Sequence, residues 1–289
     1  MKSATAALRD ALQRPGLLAL LFIVRSFIAA MAAWLLVDAF SPAWVMGLPR
    51  GDESFFEPGL ALLLRLCGEN RQRWSHWGAV SIWIAVVAAA VGAVAVVFVL
   101  FSLQSNTRPP LRLTLRKTIG SVPRQLGIVS VYWLAVILAV YVVRQLSGVL
   151  PAMIYPWLGE KGADAMLLCL VTALVATVVG LRIACDLARV GATRSDQPVA
   201  VIGATAIRVL CGRWRFWLGT YACFAIPSVA LPVVIEFWIP TFANSAHFGL
   251  LPTLIHQGAV LVICLLQLSW WVLVRTQVQT LIPSTWRYN

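Results

Sequence analysis

Six long apolar runs limit the fold of this chain more than any other feature. The runs cover residues 17–39, 78–103, 126–146, 164–188, 216–239 and 250–274. Because a helix rises about 1.5 Å per residue, a run of this length can cross a hydrocarbon core about 30 Å thick. The chain is 60% hydrophobic and 12% charged, which leaves more apolar surface than a water-soluble fold can bury. The sequence therefore predicts an all-α fold, a bundle of six transmembrane helices that forms one integral membrane domain over residues 1–289.

The distribution of Lys and Arg over the links between the runs predicts the orientation. The N-terminal tail has three basic residues and the links that follow runs 2 and 4 have five each, whereas the four basic residues in the link after run 1 are accompanied by four acidic ones. The link after run 3 has Lys161 as its one basic residue, and the link after run 5 has no charged residue. By the positive-inside rule, and with an even number of spans, both termini lie on the cytoplasmic side. The richness in Arg, Ala and Trp is typical of a GC-rich bacterial genome, so we predict the bacterial inner membrane.

A cleaved signal peptide is the alternative interpretation of the first run. The chain starts with basic residues and an apolar stretch, and Ala29-Ala30-Met31-Ala32 resembles a signal-peptidase site. Arg25, however, interrupts the apolar stretch, which continues through Val37. Signal peptides are shorter and uninterrupted, so a first transmembrane helix is favoured.

Short amphipathic segments precede runs 1, 3 and 5, and each is followed by a basic elbow. The segments are Ser3–Gln13, Leu111–Gly120 and Val199–Cys211. This pattern predicts three copies of one unit, an interfacial helix followed by a two-span hairpin, although ordinary positive-inside flanks are the alternative. The basic residues predicted to contact anionic lipid headgroups are Arg14, Arg112, Arg116, Arg124, Arg213 and Arg215. In the link after run 1, Phe55–Cys67 is too short to span the membrane and predicts a helix at the outer surface.

The layout of segment, elbow and hairpin resembles that of a known group of membrane domains. Together with Asp186-Leu187-Ala188-Arg189 before the third segment, it is similar to the six-span membrane domains of bacterial glycerophosphodiester phosphodiesterases and related inner-membrane families of unknown function. The resemblance covers the whole chain as a layout and contains no specific motif. It implies a six-span membrane domain. The catalytic barrel of those enzymes has no counterpart here, so no catalytic residue is carried over.

Ionisable residues inside the runs mark where polar contacts are expected, since each is costly in a membrane unless it is paired. Arg182, Asp186 and Arg189 are spaced by four and three residues, which places them on one helical face. We hypothesise that Asp186 pairs with Arg25 across the bundle, with a structural clamp or a snorkelling Arg25 as the simpler alternatives. Near the outer ends of runs 3 and 5, a second pair is predicted between Arg144 and Glu236. Gln267, deep in run 6, is predicted to bridge helices.

No catalytic, cofactor-binding or metal-binding motif occurs in the sequence. G-x-S-x-G, H-E-x-x-H and P-loop patterns are absent, and the six cysteines show no C-x-x-C spacing. The three histidines, His76, His247 and His256, lie in different links without the spacing of metal ligands. The sequence therefore predicts no cofactor and no metal. Nucleic-acid binding is not expected either, because the basic residues are explained by membrane orientation.

Two function classes remain after these exclusions. The first is a non-catalytic structural or accessory subunit of a larger membrane assembly, with lipids and other proteins as partners. The second is a permease or channel-like transporter subunit that works with a separate ATPase. A wet cavity that reaches Arg25, Asp186 or Gln267 would favour transport, whereas a packed interior would favour the scaffold. An enzyme that acts on lipid is a third, weaker option, because acidic residues suited to a catalytic metal are few on the cytoplasmic side.

Overall fold

The computed structural model describes residues 4–45, 71–104, 111–194, 197–243 and 251–281. Within these ranges the chain forms helices and no strand. In order, the helices are α1 (Ala4–Leu12), α2 (Pro15–Val45), α3 (Arg71–Gln104), α4 (Leu111–Ala192), α5 (Val199–Gly212), α6 (Trp214–Ala243) and α7 (Leu251–Leu281). The prediction of an all-helical fold is confirmed for this part of the chain. The predicted outer-surface helix Phe55–Cys67 lies outside the described residues.

Five helical segments among the described residues are long and apolar enough to cross a membrane. They are Val86–Gln104, Leu111–Trp157, Gly159–Ala192, Trp214–Ile235 and Leu254–Gln279. A sixth span results if α1 and the start of α2, which meet at a bend of 86°, are taken together. These helices fit a multi-pass membrane protein. The number six and the orientation of the termini stay predictions.

Gly159 divides α4 into two arms, Leu111–Trp157 and Gly159–Ala192. Gly159 has φ 65° and ψ −165°, a conformation that only glycine adopts without strain. Gln125 in the first arm and Arg189 in the second lie at similar distances along the chain from Gly159 and are hydrogen-bonded to each other. The arms therefore fold back on each other as a hairpin with Gly159 at its tip. The first arm continues past residue 146, the predicted end of run 3, and neither Pro151 nor Pro156 ends the helix.

Replacing Gly159 by alanine is expected to lower the free energy of unfolding by about 1–3 kcal/mol, because a Cβ atom strains this backbone conformation. No described atom lies within 4 Å of the added Cβ, so a clash contributes nothing to the cost. Gly148→Ala is the matched control, since Gly148 has equally open surroundings inside the first arm. There alanine is expected to be neutral or to stabilise the helix by up to about 1 kcal/mol. Thermal unfolding in detergent measures both; equal midpoints would contradict a strained turn at Gly159.

The prediction of a separate interfacial helix at Leu111–Gly120, ended by an elbow at Pro123-Arg124, is wrong. The residues from Leu111 onward form one helix with the following span, and Pro123 lies inside it. The buried side chains of this stretch are polar, namely Thr114, Thr118 and Gln125, whereas Leu111, Leu113 and Ile119 are exposed. The buried side of this stretch is therefore polar, whereas its exposed surface has both apolar side chains and the cations Arg112, Arg116 and Lys117. Two residues after Pro123, the side chain of Gln125 is hydrogen-bonded to Arg189 of the second arm.

The described residues divide into two compact units, residues 1–18 with 96–289 and residues 19–95. In the first unit, α1 and α6 pack against α7, and α5 packs against α4. The contact between α5 and α4 is close, since a Cβ atom on Gly191 would lie 3.4 Å from Cγ2 of the buried Ile202. Separate short helices thus exist at two of the three predicted amphipathic segments, α1 and α5. Their placement at the membrane interface stays a prediction.

Candidate functional site

Among the described residues, Asp186 is the most buried Asp, Glu, Lys or Arg, with 2% of its surface exposed. It lies in the second arm of α4, one helical turn after Arg182, whose Nε is 3.6 Å from Asp186 Oδ2. Trp270 of α7 donates a hydrogen bond from Nε1 to the same oxygen at 2.9 Å. A carboxylate in this setting needs both partners, because an unpaired buried charge costs several kcal/mol. Asp186 therefore links α4 to α7.

An aromatic cluster from α6 encloses Trp270. The ring centroids of Trp217, Tyr221 and Phe224 lie 6.1, 5.1 and 6.2 Å from that of Trp270, in edge-on or tilted orientations. Such offsets are the favourable geometry for aromatic pairs. Tyr221, and Tyr132 of the first arm, lie close enough to Arg182 to interact with it electrostatically. Trp270 thus contacts the ion pair directly, and Tyr132 and Tyr221 lie near its guanidinium group.

Arg189 and Gln125 extend the buried network toward the end of the α4 hairpin. Arg189 Nε donates to Gln125 Oε1 at 3.3 Å, and Gln125 Nε2 donates to the Arg189 carbonyl oxygen at 2.9 Å. Among the described residues, Arg189 Nη2 and Asp186 Oδ1 are buried without a hydrogen-bond partner. The network therefore contains two guanidinium groups and one carboxylate, and one nitrogen and one oxygen in it could each form a further hydrogen bond. Its hydrogen bonds join the two arms of α4 to each other and to α7, which suits it to holding these helices in register.

The other predicted membrane-buried residues are placed as follows. Arg25 is half-buried in the unit of residues 19–95, and Asp186 belongs to the other unit, so their pairing stays a prediction. Arg144 is exposed, and the side chain of its predicted partner Glu236 lies outside the described residues. Gln267 is half-buried in α7. Of the predicted polar groups, the structure brings Arg182, Asp186 and Arg189 together.

The basic residues predicted to meet lipid headgroups differ in exposure. The exposed ones are Arg112, Arg116, Arg213 and Arg215, and the half-buried ones are Arg14 and Arg124. Arg215 lies over the ring of Trp214, 5.3 Å from its centroid, an arrangement that stabilises a cation near an interface. Headgroup binding by these residues stays a prediction.

A second polar cluster, here named the helix-end cluster, consists of Arg14, Gln104, Thr193, Arg194 and Arg275. Gln104, at the end of α3, donates from Nε2 to the carbonyl oxygen of Thr193 at 2.8 Å and also to its hydroxyl oxygen. Arg275 of α7 donates from Nη2 to the Gln104 carbonyl oxygen at 3.1 Å. Carbonyl groups at a helix C-terminus lack partners within the helix, so these bonds cap α3 and the end of α4.

Arg14 brings the turn between α1 and α2 into the helix-end cluster. Its Nη1 donates to the Ser102 carbonyl oxygen at 3.3 Å, and its Nε lies 3.6 Å from Asp10 Oδ1. Arg275 interacts electrostatically with both Arg14 and Asp10. Burial and the neighbouring charge of Arg275 lower the pKa of Arg194 to about 10. Within the described ranges, the cluster therefore contains three guanidinium groups, and Asp10 is the carboxylate beside them.

Sequence reasoning missed several members of both clusters. Trp270 and Gln125 are uncharged and lie in or beside apolar runs, so neither stands out in the sequence. Arg275 comes directly after residue 274, the predicted end of the last run, so it falls outside the set of charges inside the runs. A run longer by one helical turn would include it. Within the described residues, no three His, Cys, Asp or Glu side chains come together as a metal site requires.

Comparison of the chain with protein-family models, curated protein sequences and solved structures gives no match. The function is therefore argued from the two clusters and from the packing around them.

Proposed function

We propose that this protein is a non-catalytic integral membrane protein, with six spans and both termini in the cytoplasm of a bacterium, that serves as a structural or accessory subunit of a membrane assembly. The observation that carries the proposal is the enclosure of Asp186 by Arg182, Trp270 and the aromatic side chains of α6. A transport pathway needs its charged groups in contact with water. Here the carboxylate meets protein instead, which supports a rigid scaffold.

The layout of the chain supports the same role. Asp186 joins α4 to α7 and Arg189 joins the two arms of α4, and the links that the structure describes are short. The resemblance to membrane domains that accompany a separate catalytic barrel also agrees with an accessory function. Basic residues at the helix ends are suited to anionic lipid headgroups, which anchor such a subunit at the membrane surface.

The test is extraction of the tagged full-length protein from its native membrane in a gentle detergent, followed by size-exclusion chromatography and mass spectrometry. We expect a stoichiometric protein partner that co-elutes with the chain. An unrelated six-span protein with the same tag serves as the control for non-specific recovery. Recovery of the chain alone, at the mass of a single protomer or of a homo-oligomer, would overturn the proposal.

One feature of α5 favours the transporter subunit as a second candidate. Its Ile202 and Ala206 are buried, whereas Val201 and Ile207 on other faces are exposed. A short helix between two spans, with exposed apolar side chains on the basic side of the membrane, is suited to docking a separate ATPase. If this function is correct, the extraction recovers a stoichiometric ATPase, and the double variant V201S/I207S loses it. Ile119→Ser, which changes an exposed residue of α4, is the matched control and should retain the ATPase.

A further inference from the structure

The helix-end cluster concentrates positive charge where three separate parts of the chain meet. Arg14 comes from the turn before α2, Arg194 from the end of α4 and Arg275 from α7. Arg275 is close enough to Arg14 and Arg194 for their charges to interact. Within the described residues, Asp10 is the one carboxylate that interacts with them, through Arg14 at 3.6 Å. The cluster therefore has an excess of positive charge.

The three arginines do not play the same role in the fold. Arg14 and Arg275 donate hydrogen bonds to backbone carbonyl groups at the end of α3, so both are needed to cap that helix. The guanidinium of Arg194 makes no hydrogen bond and no ion pair with any described residue, and it is partly buried beside Arg275. Holding a cation there costs free energy, because like charges repel and burial removes water. A bound anion would offset that cost.

The position and the chemistry of the cluster indicate which anion. Gln104 and Ala192 end two of the membrane-crossing segments, so the cluster lies at the level where lipid headgroups carry their phosphates. Guanidinium groups match the geometry of phosphate oxygens and bind them with paired, charge-assisted hydrogen bonds. We propose that Arg194, with Arg275 and Arg14 beside it, binds a phosphate group at the membrane surface. This inference deepens the headgroup contact included in the proposed function, and its test by anion response is separate from the recovery of a protein partner.

Arg194→Gln tests the proposal, because it removes the charge without removing any described hydrogen bond. Wild-type and variant proteins are compared by thermal unfolding in mixed micelles that contain phosphatidylglycerol or phosphatidylcholine. A third arm uses inorganic phosphate against chloride at equal ionic strength. We expect phosphatidylglycerol to raise the wild-type midpoint above that in phosphatidylcholine, and R194Q to lose more than half of this increase. Arg208→Gln, an exposed arginine of α5, is the matched control and should keep the increase.

The conditions of the experiment distinguish a lipid phosphate from free phosphate, and both from an internal partner of Arg194. A phosphate-induced increase without any preference for phosphatidylglycerol, lost in R194Q, identifies free phosphate as the ligand. Arg194→Lys retains the charge but not the paired geometry, and should keep part of the increase. Asp196 lies outside the described residues and offers Arg194 an internal partner. If D196N lowers stability without added anion as much as R194Q does, or if R194Q responds to both anions like the wild type, the proposal is wrong.

Discussion

Replacing Asp186 by asparagine is expected to lower the free energy of unfolding by about 3–5 kcal/mol, the usual cost of breaking a buried ion pair from one side. Asparagine still offers an oxygen to Trp270 Nε1, but it removes the charge that faces Arg182. Arg182 and Arg189 then remain as cations without a carboxylate among the described residues near them. For a chain of this size the loss corresponds to a decrease in the unfolding midpoint on the order of 10 °C.

Thermal unfolding in detergent, followed by tryptophan fluorescence, measures this change. Asp164→Asn is the matched control, because Asp164 lies in the same arm of α4 but is exposed. Surface substitutions of this kind usually change stability by less than 0.5 kcal/mol, about the precision of the measurement. A D186N protein with the midpoint of D164N would contradict the role given to the buried carboxylate.

Double variants identify which arginine forms the ion pair with Asp186. The 3.6 Å contact predicts that Arg182→Gln partly restores the stability of D186N, because it removes one of the two unpaired cations. The pairing inferred from the sequence predicts the same rescue by Arg25→Gln. Rescue by R182Q alone supports the contact within α4, and rescue by R25Q alone supports a pair that joins the bundle through α2. Since Arg182 is only partly buried, we expect the restoration to be incomplete.

Replacing Trp270 by alanine is expected to have an effect of similar size, about 3–5 kcal/mol, because it removes a large buried side chain. Trp270 is 2% exposed and contacts Trp217, Tyr221 and Phe224 of α6. Its loss leaves a cavity between α6 and α7 and also removes the hydrogen bond to Asp186.

Trp270→Phe separates the contribution of ring packing from that of the hydrogen bond to Asp186. Phenylalanine retains most of the ring contacts but has no N–H, so the expected loss is about 1.5–3 kcal/mol, the value of a hydrogen bond to a charged group. Trp133→Ala is the control, because Trp133 lies in α4 with 56% of its surface exposed. Equal midpoints for W270A and W133A in the same unfolding assay would show that the aromatic cluster does not stabilise the fold.

The membrane-crossing helices are predictable from the sequence because apolar composition over twenty or more residues is a strong, local signal. Asp186 and Arg182 are predictable for a similar reason, since charges inside apolar runs are rare and their spacing fixes a common face. Trp270 and Gln125 could not be found this way. Their importance arises from which helices meet, and the sequence of one helix does not contain that information.

The errors at Leu111–Gly120 have a related cause. An amphipathic pattern indicates that the two faces of a helix differ, but it does not indicate which face packs against the rest of the protein. Here Thr114 and Thr118 face the packed side, and the leucines of the same stretch face outward. Pro123 predicts an elbow because proline ends helices in water, whereas here the helix continues through it.

The packing of α1 against α7 has a consequence for the order in which the protein is completed. A ribosome makes α1 before any of the other described helices and α7 after all of them. Ala7 and Ala11 of α1 are fully buried in the finished protein, but they have no such surface to cover them until α7 has been synthesised and inserted. The helix that emerges first is thus among the last to dock.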